Sequence, residues 1–157
     1  MSESFLQSYL PYVLRRADLV LSKAFYRTLS ERGVQRSDWR VLAVLHEGDA
    51  MTMREVTATA LSPQPTVSHS IARLESKGLV ERVQSNTDRR VRLVRLTNEG
   101  HDLARSLVND ARRHEQNVLD TTAVDDLAPI VAVLTDLCKQ LDRQTDRQID
   151  SQVEQTT

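Results

Sequence analysis

The segment that most constrains the fold is residues 80–97, VERVQSNTDRRVRLVRLT, which has the pattern of a short β-hairpin. Two runs rich in β-forming residues flank Ser85-Asn86-Thr87-Asp88, and residues of these types favour turns. A hairpin this short cannot enclose a hydrophobic core, so it must pack on other elements. Arginines nevertheless crowd its tip at positions 89, 90 and 92. We therefore expect a hairpin with an exposed, cationic tip.

Three short helical patterns precede the hairpin. The run WRVLAVL at 39–45 predicts a buried helix, with Ser37 as its N-cap. The capping-box sequence T-x-x-E at 52–55 predicts the start of a second helix. Ser62-Pro63-Gln64-Pro65 predicts the start of a third, with a capping serine and prolines in the first turn, and Gly78 ends it.

Longer amphipathic patterns flank this middle part. Residues 5–29, 103–118 and 124–141 carry apolar side chains at steps of three and four, the period of one helix face. Pro11 interrupts the first pattern early, so it either kinks that helix or resets its start. The apolar faces are broader than the short middle can cover, which indicates a partner surface. From about Arg143 the chain is polar, and we expect a frayed or disordered tail.

The formal charge of −1 is unevenly distributed along the chain. Residues 54–97 carry 8 basic and 4 acidic groups, a net charge of +4, whereas residues 98–157 carry 6 basic and 12 acidic groups, a net charge of −6. A basic middle in a faintly acidic protein indicates a local surface for a polyanion. Chance clustering on a solvated face is the alternative.

Cysteine content and hydropathy bear on the compartment. The single cysteine, Cys138, cannot form an intrachain disulfide or a cysteine-based zinc site. No run of about 18 apolar residues predicts a membrane span. The N-terminal residues lack the basic and apolar regions of a secretory signal. We therefore expect a cytoplasmic protein without a membrane partner.

Two short helices followed by a basic hairpin are the order of elements in a winged helix-turn-helix, which suits DNA. A helix fits the major groove, about 12 Å wide, and its N-terminal residues reach the base edges. The small side chains of Thr66 and Ser68 permit close approach, and Gln64 offers paired donor and acceptor groups to adenine. An arginine at the hairpin tip suits the minor groove, about 6 Å wide, where negative potential is focused.

Residues 61–100 resemble the multiple antibiotic resistance regulator (MarR) family of bacterial repressors. The matching segments are Thr66-Val67-Ser68, Leu74-Glu75, Gly78-Leu79-Val80-Glu81-Arg82, Asp88-Arg89-Arg90, and Leu96-Thr97 with Gly100. The helical pattern extends the resemblance over roughly residues 5–142. The expected fold is mainly α with a small β-hairpin wing. The resemblance implies a winged helix-turn-helix DNA-binding region at 36–97 and a helical dimerisation region at 1–35 and 98–145. The polar composition indicates the tail at 146–157.

The hairpin at 80–97 corresponds to the wing of this fold, and the resemblance also implies roles for the residues at its tip. In the family, the aspartate of a D-x-R motif braces the arginine two positions later, which enters the minor groove. Asp88 is then the brace, Arg90 the inserted group and Arg89 a phosphate contact. The alternative is a solvated turn with a local ion pair.

The remaining expected DNA contacts lie on the helices. Pro65 removes one N–H donor for a phosphate, and Arg73 either contacts phosphate or pairs with Glu75 or Glu81. His69 and Arg54 are candidates for phosphate contacts, with exposed helix surface as the alternative. The full set of expected DNA-binding residues is Arg54, Gln64, Pro65, Thr66, Ser68, His69, Arg73, Asp88, Arg89 and Arg90.

Many members of the family release DNA when a small molecule binds between the dimer helices and the DNA lobe. The resemblance therefore implies a dimeric repressor, released from a near-palindromic operator by an aromatic carboxylate, a phenolic compound or an aromatic acyl-CoA. Aromatic rings for stacking and guanidinium groups for a carboxylate suit such an effector. The expected ligand-binding residues are Tyr9, Tyr12, Arg16, Trp39, Arg40 and His114, with core or dimer packing of the aromatic residues as the alternative.

Other classes fit the sequence less well. Residues 1–157 contain no glycine-rich phosphate loop, nucleophile elbow or cofactor motif, so we expect neither an enzyme nor a cofactor. A winged-helix module that docks proteins without DNA is the main rival. A regulator switched by oxidation or metal is another, but the four histidines are dispersed and Cys138, on an apolar helix face, is expected to be buried and inert.

Overall fold

A computed structural model of the chain describes residues 4–88, 90–122, 124 and 126–154, with the backbone alone for 145–154. The mainly helical class with a small β wing is confirmed. In chain order the elements are α1 (Phe5–Ser8), α2 (Leu10–Glu31), α3 (Arg36–Gly48), β1 (Met51–Thr52), α4 (Met53–Thr59), α5 (Gln64–Ser76), β2 (Val80–Gln84), β3 (Arg92–Leu96), α6 (Asn98–Thr121) and α7 (Ala128–Glu154). The chain forms two compact units, residues 1–115 and 116–157.

Local signals set several helix ends as the sequence predicts. Pro11 is in the first turn of α2, after an extended residue, so it resets the helix start. The capping box is complete: the Thr52 hydroxyl accepts the Glu55 N–H at 3.2 Å, and the Glu55 carboxylate accepts the Thr52 N–H at 2.7 Å. Gly33 and Gly78 follow α2 and α5 with φ of +66° and +71°. Glycine suits this left-handed backbone because it has no Cβ.

Two predicted N-caps are wrong. Ser37 lies inside α3, which begins at Arg36 after Gln35. Ser62 precedes α5 by two residues, and Pro63 occupies the cap position. The Ser62 hydroxyl instead donates to the carbonyl oxygen of Ala60 at 3.0 Å, within the turn between α4 and α5. This local bond uses the hydroxyl that would otherwise cap α5.

The sheet contains a strand that the sequence did not indicate. β3 lies in the middle and pairs antiparallel with both β1 and β2. Val80 lies opposite Leu96 and Gln84 opposite Arg92, so the hairpin has the predicted runs as its strands. β1 adds only Met51 and Thr52, too few for a detectable alternation. It joins the start of α4 to the middle of β3.

One hydrophobic core joins the helices and the sheet of the first unit. Its largest fully buried apolar side chains come from α2, α3, α5 and α6: Leu29, Leu42, Leu45, Ile71, Leu74 and Leu107. Because α5 contributes a continuous buried stripe, its opposite face is held at the surface. The core therefore determines which side of α5 remains available to a ligand.

Both ends of the chain carry exposed apolar side chains. On α1 and α2, the exposed fractions of Phe5 and Val20 are 68% and 67%. In the second unit, Val133 on α7 is 68% exposed and Ile130 50%. No helix among the described residues is long and apolar enough to cross a bilayer.

The expected polar tail at 146–157 differs in the structure. The backbone of α7 continues as helix to Glu154, and residues 155–157 lie outside the described ones. The segment from 143 contains no proline or glycine, so no strong helix breaker interrupts the turns begun at Ala128. The low hydrophobicity of this segment therefore does not prevent its backbone from being helical up to Glu154.

Candidate nucleic-acid interface

Helix α5 presents its N-terminal residues to solvent. Gln64, Pro65, Thr66 and His69 are exposed, whereas Val67, Ser70, Ile71 and Leu74 are buried against the core. Ser68 is half-buried, and its hydroxyl lies 4.0 Å from the sulfur of Met53. The exposed side chains are short or flat, and they lie on a 13-residue helix whose far side is packed. Such a rigid helix end can enter a major groove.

The wing tip is shaped by hydrogen bonds from small polar side chains. The hydroxyls of Ser85 and Thr87 lie 2.9 Å apart, and Ser85 Oγ accepts the N–H of Thr87 at 3.2 Å. Asp88 accepts the backbone N–H of Arg90 at 2.8 Å. The aspartate therefore braces Arg90 through the main chain, which leaves the exposed Arg90 guanidinium free of that contact. Arg89 lies outside the described residues.

The root of the wing is fastened to α6. The Thr97 hydroxyl donates to the carbonyl oxygen of Gly78 at 2.7 Å and accepts the N–H of Gly100 at 3.1 Å. A Cβ at position 100 would lie 1.9 Å from the carbonyl oxygen of Leu79, so only glycine fits there. These contacts explain why the sequence pattern has threonine at position 97 and glycine at position 100.

The basic residues of the middle segment divide into paired and unpaired sets. Arg82 pairs with Glu75 at 3.3 Å, and Arg95 pairs with Glu81 at 2.8 Å. Among the residues that the structure describes, no ion pair is recorded for Arg54, Arg90 or Arg92, and all three are exposed. The positive charge available to a polyanion is therefore concentrated at the start of α4 and along the wing.

Arg73 is engaged with a partner that the sequence did not indicate. Its guanidinium binds the carboxylate of Asp38, with Nη2 2.6 Å from Oδ1. The expected pairing with Glu75 or Glu81 is wrong, because those carboxylates bind Arg82 and Arg95 on the wing. Hydrogen bonding to Asp38 is the main reason that the pKa of Arg73 is raised. The arginine therefore stays charged while facing the protein.

The expected ligand-binding residues fall in several places of the first unit. Trp39 and Arg40 line a cavity of about 360 Å³ with Ala43, Val44, Thr59, Ala60 and Leu61. Arg16 lines a different cavity, on α2. Tyr9 and Tyr12 are 46% and 41% exposed near the start of α2, and Tyr9 stacks on Phe5 at 5.0 Å between ring centroids.

The aromatic ring of Phe25 connects Trp39 to His114. The centroid distance is 5.2 Å to Trp39, edge to face, and 6.3 Å to His114, nearly parallel. His114 Nε2 lies 2.5 Å from the carbonyl oxygen of Leu21. The side chain of His114 thus already has a backbone partner on α2.

Residues considered for redox or metal switching have different surroundings from those expected. Cys138 is exposed on α7, so the expectation of a buried thiol is wrong for the single chain. The rings of His46 and His101, distant in sequence, approach edge to face at 6.4 Å. Within the described parts of the chain, no three histidine, cysteine or carboxylate side chains are grouped to hold a metal ion.

The geometry of α3 to α5, the wing and their junction with α6 is that of a winged helix-turn-helix. A family model described as "MarR family" matches residues 32–91. The crystal structure of the MarR family transcriptional regulator SPO1453 from Silicibacter pomeroyi is similar, with 37% sequence identity and a TM-score of 0.77 over 88% of this chain and 99% of that one. This chain belongs to the MarR family of transcriptional regulators, which are not enzymes.

Other relatives align over different lengths. The Bacillus subtilis HTH-type transcriptional regulators YdgJ and YwoH are 26% and 32% identical over 65% and 61% of this chain, which spans 62% and 69% of their lengths. The structure of Bordetella bronchiseptica BpsR is also similar, with 26% sequence identity and a TM-score of 0.70 over 82% of this chain and 98% of that one. 6-Hydroxynicotinic acid regulates the DNA binding of BpsR.

Proposed function

We propose that the chain is a homodimeric, sequence-specific DNA-binding repressor. The observation that carries this proposal is the wing tip, where Asp88 fixes the backbone of an exposed Arg90. Helix α5 supplies base contacts from Gln64 and Thr66, while Arg54 and Arg92 contact phosphates. Phosphate contacts position the protein, and contacts to base edges give sequence specificity.

The exposed apolar faces at the two ends of the chain support a dimer. Large apolar side chains such as Phe5, Val20 and Val133 are each about two-thirds exposed in the single chain. Large apolar side chains exposed in this number mark interaction surfaces in soluble proteins. A second copy supplies the same surface in reverse, as a two-fold interface requires. Two α5 helices then meet half-sites about 34–36 Å apart on a near-palindromic operator.

Repression is the simpler regulatory mode for such a dimer. A repressor has only to occupy DNA that the polymerase needs, whereas an activator must also contact the polymerase. A cavity of about 360 Å³ beside Trp39 and Arg40 can hold one aromatic ring with a carboxylate. We therefore propose an aromatic acid, phenolic compound or aromatic acyl-CoA as the releasing ligand. The regulation of BpsR DNA binding by 6-hydroxynicotinic acid, an aromatic acid, supports this class.

DNA binding is tested by selecting duplexes from a random library and measuring affinity by fluorescence anisotropy. We expect enrichment of a near-palindromic site, with an affinity that falls steeply as salt rises because counterions are released. Sedimentation of the free protein should show a dimer at micromolar concentration. Failure to enrich any site, with unchanged binding to random duplex, would contradict the proposal.

A protein-docking module remains the second candidate because Leu61, 87% exposed, adds an apolar side chain beside the α4–α5 turn. This candidate predicts no steep salt dependence with any duplex. The same anisotropy titration therefore separates the two functions.

The effector proposal has its own test. 6-Hydroxynicotinic acid and benzoic acid are added to the protein–DNA complex, and release is compared for wild type, Trp39→Ala and Arg40→Gln. We expect release from wild type at concentrations that leave both variants bound. A coupling of about 1–3 kcal/mol corresponds to roughly 5–150-fold weaker DNA binding. Equal release from all three proteins would place the effector elsewhere.

A further inference from the structure

A buried carboxylate lies between α3 and α5. The Asp38 side chain is 1% exposed, and both of its oxygens accept hydrogen bonds from Arg73. Arg73 Nε lies 3.1 Å from Oδ1 and 3.0 Å from Oδ2, and Nη2 lies 2.6 Å from Oδ1. The hydroxyls of Ser37 and Ser70 lie 3.4 and 3.3 Å from the same Nη2. The guanidinium is thus bound on its inward edge by two helices.

This arrangement fixes the arginine in place. Asp38 is removed from water, so an ionised carboxylate there requires the opposite charge of Arg73 beside it. If Arg73 turned outward to a phosphate, it would leave that buried charge unpaired. The free energy needed to strip a buried ion of its partner is larger than one exposed phosphate contact supplies. A phosphate role for Arg73 is therefore unfavourable in this fold.

The ion pair also determines where the exposed end of α5 lies. Arg73 follows His69 by one helical turn and Thr66 by two, so all three move with the same rigid helix. The far end of α5 has a second attachment, since Lys77 Nζ donates to the carbonyl oxygen of Gly33 at 3.0 Å. Arg73 and Lys77 are thus two attachments near the C-terminal end of α5, and the N-terminal half with the expected base contacts extends from them.

We propose that Arg73 is a positioning residue, which holds α5 through Asp38 at the angle needed to meet base edges and makes no phosphate contact. This inference rests on the proposed DNA-binding function. It assigns the selectivity of the protein partly to a residue pair that never touches DNA. Loss of the pair should weaken binding to the selected site more than binding to random DNA, because only base contacts depend on the angle.

The test measures affinity for the selected duplex and for a random duplex across salt concentrations. The proteins compared are wild type, Asp38→Asn, Arg73→Gln, Arg73→Lys and the double variant Asp38→Asn/Arg73→Gln. We expect each single variant to bind the selected duplex about tenfold or more weakly, which is about 1.4 kcal/mol. The slope of log affinity against log salt should stay unchanged. Lysine should not restore affinity, because it lacks the planar fork that binds both carboxylate oxygens.

Two further readouts sharpen the result. The double variant should be no worse than the single ones, since both remove the same interaction. Arg54→Gln serves as the matched control for a phosphate contact, and it should lower the salt slope by about 0.9 and weaken both duplexes alike. Thermal unfolding identifies any variant that fails to fold. In that event the apolar pair Asp38→Leu/Arg73→Met, which removes both charges together, is measured instead.

A lower salt slope in Arg73→Gln, with affinity kept in Arg73→Lys and Asp38→Asn, would overturn the inference and make Arg73 a phosphate contact. The same slope change in the apolar pair would also overturn it. If wild type itself does not distinguish the selected duplex from the random one, the proposed function fails instead. The two failures are therefore distinguishable.

Discussion

The carboxylate of Asp88 accepts the backbone N–H of Arg90 at 2.8 Å, so the tip of the wing is fixed through the main chain. An aspartate that paired with the guanidinium would compete with DNA for it. Bracing the backbone instead orients the arginine and leaves its charge available. In a D-x-R pattern at the end of a small hairpin, the aspartate therefore holds the backbone while the arginine side chain stays free to bind.

Replacing Asp88 by alanine should weaken DNA binding without affecting the dimer. The variant loses one hydrogen bond that orders the tip, which contributes about 0.5–1.5 kcal/mol. Asp88→Asn keeps an acceptor oxygen and serves as the matched control, so its affinity should remain close to wild type. Anisotropy with the selected duplex measures both. Equal losses in the two variants would indicate that the negative charge, and not the hydrogen bond, matters.

Leu61 is a site where a substitution should not destabilise the protein. Its φ is +48°, and its side chain is 87% exposed. A side chain other than glycine, asparagine or aspartate costs about 1 kcal/mol or more in this backbone region. Leu61→Asn should therefore raise the free energy of unfolding by up to about 1 kcal/mol, measured in urea, while Leu61→Ala changes little. A clear loss in both variants would contradict this prediction and show that the leucine side chain makes stabilising contacts.

Gly100 should tolerate no side chain, since a Cβ would lie 1.9 Å from the carbonyl oxygen of Leu79. Gly100→Ala must push α6 away from the root of the wing, and we expect a loss of about 1–3 kcal/mol in unfolding free energy. Gly33→Asn is the control: φ there is +66° and no atom lies within 4 Å of the added Cβ. Asparagine adopts this conformation readily, so the control should stay near wild type. Comparable losses in both would refute the steric explanation.

The capping box of α4 predicts a pH dependence. Hydrogen bonds from the Thr52 backbone N–H and then from its hydroxyl lower the pKa of Glu55 below its ordinary value of 4.5. Because the pKa is lower in the folded state, this carboxylate stabilises the protein fully above its unfolded-state pKa, and the stabilisation is lost as pH falls through the folded-state pKa. Glu55→Gln keeps the acceptor without the charge. The Tm difference between wild type and this variant should shrink on acidification; a constant or growing difference would contradict the assignment.

The features that could be predicted from the sequence depend on neighbouring residues. The Thr52–Glu55 capping box, the helix start at Pro11 and the turn at Gly78 each involve a few adjacent positions. The wing was predictable for the same reason, because its two strands and its turn are consecutive. Its tip also carried the residue pattern of the family.

The features that could not be predicted join distant positions. Asp38 and Arg73 are 35 residues apart, and their pairing requires α3 and α5 to cross at one place. Local charge spacing favoured Glu75 and Glu81, but those carboxylates bind Arg82 and Arg95. β1 could not be predicted from the sequence either, since a two-residue strand is defined only by its pairing with β3.

The most direct measurement of the central claim is the salt dependence of DNA binding by wild type and Arg90→Ala. Arg105→Ala is the control, because this arginine is also exposed but lies on α6 beside Asp102. If Arg90 enters the minor groove, its removal should cost about 1–3 kcal/mol of affinity for the selected duplex and lower the salt slope by about 0.9. The control should bind as wild type does. Unchanged affinity and slope in Arg90→Ala, with the dimer intact by sedimentation, would contradict the account.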